Sequence, residues 1–230
     1  MKQNLFLLFS FIFFLPTIFA ATIFEDNFND GNINGWTGYG TAPSQWQANS
    51  NLLKYNGGSY VGSISFAAID SLLTPTNFTM EADFMITSSD SYGHIGFFWG
   101  YQSTNTFNTA YVRTHSDHIT HWSYVNGSQS AESYLYATAN NGVWYHMKIS
   151  VDYTTKTMIT QFGSTTQTFT GSTFDSINRN SGGKMGVLTW GEVGYFDNIV
   201  VTSTVPEAST IATFCMSLLL FIAYKMKKNL

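Results

Sequence analysis

Three carboxylates stand near the two ends of the central part of this chain. Asp26 and Asp30 lie in Phe24-Glu25-Asp26-Asn27-Phe28-Asn29-Asp30-Gly31, and Asp197 lies in Tyr195-Phe196-Asp197-Asn198-Ile199. Calcium takes several oxygen ligands, carboxylates and backbone carbonyls among them. If the first and last strands pair, these three acids meet as a calcium site; otherwise they cap turns and solvate sheet ends. His115, His118 and His121 form a second group, and imidazoles suit zinc. On a strand, however, His115 and His121 share one face and His118 takes the other. That spacing fits polar decoration better than a metal site. Glu81 and Asp83 form a third group, two residues apart and so on one strand face. Paired carboxylates are what sugar hydrolysis uses, and an exposed polar face opposite Phe84 and Ile86 is the plain alternative. The fourth group is aromatic: Trp99, Tyr101, Trp122, Tyr124 and Trp190, with Tyr134 and Tyr136 nearby. Such rings either fill a core or wall a site with a few polar groups.

The elements that must position these groups have a period of two. Phe78, Met80, Ala82, Phe84 and Ile86 alternate with Thr79, Glu81, Asp83 and Met85, which is strand patterning. His94 to Tyr101 is almost continuously apolar and fits a central strand covered on both faces. Further strands are expected at Ala110–Arg113, Ile119–Val125, Trp144–Val151, Thr157–Phe162, Gln167–Thr170, Met185–Trp190 and Tyr195–Thr202. Asn126-Gly127 and the run from Asp152 to Lys156 are turn signals between them. No sustained helical pattern and no internal repeat is present. Short strands with polar turns point to an all-β sandwich or jelly roll.

Composition sets limits on function. Charged residues make up 10% of the chain, against about 25% in an ordinary soluble domain. The single cysteine, Cys215, lies in the C-terminal tail, so the body holds no disulfide. Between residues 22 and 204 acidic residues outnumber basic ones by about two to one, with no Lys/Arg cluster. Nucleic-acid binding needs a basic footprint and is disfavoured. The body also lacks Gly-x-Ser-x-Gly, a phosphate loop and a nucleophilic cysteine.

Both ends read as addresses. Lys2, the apolar run Leu5 to Leu15, Pro16 and the small pair Ala20-Ala21 have the layout of a secretory signal peptide cut after Ala20 or Ala21. The apolar run is shorter than the ~20 residues of a membrane span. At the other end Val205-Pro206-Glu207 leads into the apolar run Ile211 to Tyr224, and Lys225, Lys227 and Lys228 follow. Lysines just beyond an apolar segment fit a cytoplasmic end. This tripartite tail resembles a PEP-CTERM sorting signal, with Ala208 where a second proline is usual. The resemblance implies one transmembrane helix, processing by an exosortase, and an exported protein of a Gram-negative-type bacterium. Such a protein is an inner-membrane anchored precursor before it reaches the cell surface or extracellular matrix. The expected organisation is a signal peptide at 1–21, a sandwich domain at 22–204 and a sorting signal at 205–230.

The body has resemblances of its own. Trp144-Tyr145-His146-Met147-Lys148-Ile149-Ser150-Val151-Asp152 resembles the Trp-initiated strand and acidic turn of laminin-G-like domains. Gly183-Lys184-Met185-Gly186-Val187 and Tyr195-Phe196-Asp197-Asn198-Ile199-Val200-Val201 are similar to that superfamily's closing strands. The Phe24–Gly31 run with Gly35-Trp36 resembles its opening strand and turn, and Gly93 to Gln102 is similar to the thrombospondin C-terminal domain. All imply the concanavalin A-like jelly roll, and the resemblance raises calcium as a structural cofactor at Asp26, Asp30 and Asp197. The related family 16 glycoside hydrolases carry Glu-x-Asp-x-x-Glu on one strand. Here the third acid is absent from Glu81-Ala82-Asp83-Phe84-Met85-Ile86, and Met85 is the same-face neighbour of Asp83. The expected role is a non-catalytic module binding glycan or extracellular polymer through Trp99, Tyr101, Trp122, Tyr124 and Trp190. A glycoside hydrolase or lyase acting on exopolysaccharide and a structural or adhesive matrix protein are the alternatives.

Overall fold

The computed structural model describes residues 18–57, 64–87, 93–113, 118–191 and 193–206. In chain order its strands are β1 (Ile18–Asp26), β2 (Trp36–Gly40), β3 (Trp46–Ala48), β4 (Leu53–Tyr55), β5 (Ile64–Leu73), β6 (Asn77–Ile86), β7 (His94–Ser103) and β8 (Thr106–Arg113). They continue as β9 (His118–Val125), β10 (Ser128–Gln129), β11 (Ser133–Tyr136), β12 (Trp144–Asp152), β13 (Thr157–Phe162) and β14 (Thr165–Thr170). A short helix, α1 (Gly171–Ile177), precedes β15 (Lys184–Trp190) and β16 (Gly194–Pro206). Contacts divide the chain into residues 22–203 and a second unit of the two ends, 1–21 with 204–230. Of that second unit the described part is strand residues 18–21 and 204–206.

The strands form two antiparallel sheets. Sheet 1 runs β14-β13-β12-β6-β16-β4-β3, with β1 also paired to β16. Sheet 2 runs β10-β9-β8-β7-β15-β5-β2, with β11 also paired to β9. The expected pairing of first and last strands is thus present. The alternation expected for β6 also holds, with Phe78, Met80, Ala82, Phe84 and Ile86 buried and the residues between them half-buried. β7 is buried on both faces from His94 to Tyr101, as its continuous apolar run implies. The hairpin β9–β10 turns on Asn126-Gly127, which pairs Val125 with Ser128. Both turn residues have positive φ, 50° and 81°, the geometry of a tight primed turn that Asn-Gly favours. In the β12–β13 hairpin, Asp152 accepts the Thr154 and Thr155 amides at 2.7 and 3.0 Å.

The main core lies between the sheets. Phe84, Met147, Ile149 and Phe196 come from sheet 1, and Ile95, Phe97, Val112 and Val187 come from sheet 2. Burying side chains of this size contributes about 1.5–3 kcal/mol each before conformational entropy is charged against it. Polar ties also cross the gap. Trp46 of β3 donates its indole N–H to Ser65 of β5 at 2.9 Å. His121 of β9 meets Thr160 of β13 at 2.9 Å. The helix α1 is two turns long and buries Phe174 and Ile177. A span that short carries too little periodicity to be read from sequence.

Candidate functional site

Alternation along sheet 2 builds a second apolar cluster, itself buried, on its outer face. On β8, Ala110 and Val112 enter the inter-sheet core while Phe107 and Tyr111 belong to a separate cluster. On β5 the inward residues are Ala67 and Ile69, and the outward ones are Phe66 and Ala68. Strand β15 sends Met185 and Val187 in and Leu188 out, and β9 sends Ile119 in and Trp122 out. An antiparallel sheet ordinarily turns a polar face outward. This one carries an aromatic floor of Phe66, Phe98, Tyr101, Phe107, Tyr111 and Trp122, edged by Tyr39, Tyr124 and Trp190.

Four of the five aromatics expected at a binding site meet on this floor. The Trp122 ring lies 4.9 Å from Tyr124 and 6.2 Å from Trp190. Tyr101 packs 5.0 Å from Phe66 and 5.5 Å from Tyr39. Tyr124 stacks on Phe107 at 5.6 Å with their planes only 6° apart. Trp122 is 1% exposed and Tyr101 8%, so both support the floor, while half-buried Tyr124, Trp190 and Tyr39 offer the accessible ring surface. Burial raises the Tyr101 and Tyr111 hydroxyls above the ordinary phenol value, and they stay protonated as hydrogen-bond donors. Trp122 in turn donates its indole N–H to the Tyr111 hydroxyl at 3.2 Å.

Trp99 departs from the expectation. It is fully buried between the sheets and donates its indole N–H to Asn178 at 3.1 Å. Strand alternation alone puts Trp99 and Tyr101 on one face. Gly100 intervenes with φ 64°, and the β7–β8 and β7–β15 registers shift across it. The resulting bulge sends Tyr101 to the outer face and leaves Trp99 in the core. Sequence reasoning did not name Phe66, Phe98, Phe107 or Tyr111 as floor residues. The alternation of Phe107, Thr109 and Tyr111 was the available signal.

The acidic residues behave differently. Asp26 accepts the Phe28 amide at 2.8 Å and the Trp36 indole N–H at 2.8 Å, so both its oxygens hold the opening turn. Asp30 accepts the Asn32 amide at 3.1 Å in a local turn. Burial pushes the Asp197 carboxyl up, and the charges of Asp83 and Asp26 push it further while the Asn198 amide opposes them. Asp26, Asp83 and Asp197 therefore share a neighbourhood. Among the described residues, no group of three or more His, Cys, Asp or Glu side chains is arranged to hold a metal ion. Calcium at this end would have to take Asp26 and Asp197 together with backbone carbonyls.

Glu81 and Asp83 lie side by side on the outer face of sheet 1, away from the aromatic floor. His146 meets Asp83 at 2.8 Å, Lys148 meets Glu81 at 2.9 Å, and Asn198 donates to the second Asp83 oxygen at 2.8 Å. Of the three histidines, His115 lies outside the described residues. His121 points inward and His118 outward, the opposed faces that strand alternation predicts. Its ring nitrogens bonded to Ser133 and Thr160, His121 is completely buried, and desolvation lowers its pKa to about 4. His118 packs edge-on to Tyr134 at 4.4 Å. Ala20, Ala21, Val205 and Pro206 lie in strands β1 and β16. Glu207 and the apolar and basic segments beyond it lie outside the described residues. Among the described residues no helix is long and apolar enough to cross a membrane.

Neither a protein-family model nor a curated protein matches this sequence. Solved structures do resemble it. The carbohydrate-binding module CBM66 from Bacillus subtilis superposes with a TM-score of 0.57 at 19% identity, over 75% of this chain and 98% of that one. The winged bean acidic lectin, solved with methyl-α-D-galactose, gives 0.58 at 15% identity over 82% and 100%. A β-glucanase from Bacillus licheniformis gives 0.55 at 12% identity over 79% and 98%. At these identities the likeness establishes the fold: an all-β sandwich of two antiparallel sheets, of the jelly-roll kind found in lectins.

Proposed function

We propose that this protein is a non-catalytic module that binds glycan or extracellular polymer. The observation that carries the reading is the aromatic outer face of sheet 2, where Tyr101, Trp122, Tyr124 and Trp190 come together. Flat rings stack on the apolar faces of sugars, and uncharged hydroxyls supply the hydrogen bonds that orient them. The likeness to a carbohydrate-binding module and to a sugar-binding lectin supports the same ligand class, as an analogy of fold. Glu81 and Asp83 sit on the opposite sheet and are held by His146, Lys148 and Asn198, which favours binding over sugar hydrolysis.

The test is retention of the full chain on a panel of insoluble polysaccharides, with new reducing ends measured in the same tubes. Retention without product is expected, weakened about five- to tenfold in Trp190→Ala, as loss of one stacking ring implies. Release of reducing ends would make the protein a glycoside hydrolase or lyase, with ultraviolet absorbance from unsaturated ends marking the lyase. Neither retention nor product would make it a structural or adhesive matrix protein.

The proposal includes delivery. A signal peptide cut after Ala20 or Ala21 starts export. The tail from Val205, Pro206 and Glu207 holds the precursor in the inner membrane for an exosortase to process. The structural calcium expected at Asp26, Asp30 and Asp197 is proposed on Asp26 and Asp197 alone, since Asp30 is taken up in its own turn and no trio of such side chains is arranged to hold a metal among the described residues. Chelator is then expected to lower the melting temperature, and an unchanged melting temperature would remove calcium from this account.

A further inference from the structure

A groove of about 420 Å³ opens at one edge of the sandwich, between β11 of sheet 2 and β14 of sheet 1. Small-molecule sites occupy about 300–1,000 Å³. One wall is aromatic. Tyr134 and Tyr136 are two apart on β11 and so share a face, with ring centroids 6.3 Å apart. The Tyr136 side is unusually open, at 73% exposure. The other wall is a row of uncharged donors and acceptors: Gln167, Thr168 and Thr170 on β14 and Thr173 on α1. At its base lies Phe169, buried and packed 4.7 Å from His121.

The aromatic wall is held before any ligand arrives. Gln129 donates to one oxygen of Glu132 at 3.0 Å, and the Tyr134 hydroxyl donates to the other at 2.5 Å. That bond to the carboxylate, above all, raises the Tyr134 pKa and keeps its proton in place. The ring edge of His118 fixes Tyr134 from the side. A ring positioned in advance loses little entropy when a ligand stacks on it. None of the lining residues carries a charge, so a polyanion gains nothing there.

We propose that this edge groove is a second carbohydrate contact site, bordering the aromatic floor on the side where Tyr134 approaches Tyr111, and taking a stretch of neutral polysaccharide with a sugar ring against Tyr136 and its hydroxyls toward Gln167, Thr168 and Thr170. The test is affinity electrophoresis of the full chain in native gels containing mixed-linkage β-glucan, xylan, galactomannan or, as an anionic control, alginate. Retardation is expected in at least one neutral gel. There Tyr136→Ala is expected to weaken binding about fivefold, the worth of roughly one stacked ring. The double variant Thr168→Val with Thr170→Val keeps strand-compatible shapes and removes the hydroxyls, and it is expected to weaken binding about as much. If both groove variants migrate like the unaltered chain while Trp190→Ala loses retardation, the groove is overturned and the floor stands. If Trp190→Ala binds normally and the groove variants do not, the groove stands and the floor reading falls. Retardation in alginate alone, or in no gel, overturns the groove. So does self-association that Tyr136→Ala abolishes, because the groove is then a contact between copies of the chain.

Discussion

A single histidine shows how one residue can set the pH behaviour of the sandwich. His121 crosses between the sheets to Thr160 and is wholly buried. Desolvation disfavours its charged form and lowers its pKa from 6.5 to about 4. Below pH 6.5 the unfolded chain takes up a proton that the folded chain refuses, so stability falls as the solution is acidified. The contribution is intact above pH 6.5, declines between 6.5 and about 4, and reaches a limit of roughly 3 kcal/mol lost. Urea melts across this range are expected to show that decline. His121→Gln, which cannot titrate but can still bond Thr160, is expected to flatten it by up to one proton. Equal slopes in the two proteins would rule out His121 as the source.

At the scale of elements, the bulge in β7 decides which of its rings join the outer-face cluster. Gly100 adopts φ 64°, and a methyl group there would lie 2.5 Å from the Asn180 carbonyl oxygen and 2.9 Å from the Asn108 amide nitrogen. Those atoms belong to a buried network. The Asn108 side-chain oxygen accepts from Ser123 at 2.6 Å and from the Asn180 backbone at 3.1 Å, and its nitrogen donates to the Asn180 carbonyl at 2.6 Å. Gly100→Ala therefore meets backbone strain and a crowded polar cluster together. A loss of about 3 kcal/mol or more is expected in urea denaturation, with near-ultraviolet circular dichroism changed as Tyr101 shifts. The same bulge explains what the sequence concealed. Period-two alternation made β6, β7 and most of the later strands legible, and Asn126-Gly127 announced its hairpin. It did not separate Trp99 from Tyr101, because an inserted left-handed glycine inverts the faces after it. Nor did it reveal α1, the three-residue strands β3 and β4, or β11 with its groove, since each is too short to carry a period. Asp26 was legible as a residue of note, but its partner, the Trp36 indole, depends on packing that spacing does not encode.

At the scale of the whole molecule, the aromatic floor, the groove and the two chain ends bear on one physical problem. Under the function proposed above, a protein that holds polymer outside the cell has to leave the membrane that made it while keeping its ligand-facing surfaces uncharged and ring-rich. The body meets the second need with few charged residues and a packed core that uses no disulfide, since the only cysteine is Cys215. In that proposal the first need falls on the tail. The apolar run Ile211 to Tyr224 is 14 residues long, short of the ~20 that span a bilayer comfortably. In the proposed sorting signal, an apolar run this short, backed by Lys225, Lys227 and Lys228, suits a temporary hold better than a permanent one. The mature protein collected from the medium or cell surface is therefore expected to start at Ala21 or Thr22 and to end near Glu207, as read by intact mass spectrometry. A mass that retains Lys225 to Lys228 would make the tail a lasting anchor. The module would then work at the membrane surface, and polymer captured by its rings would be tethered to the cell rather than carried into the matrix.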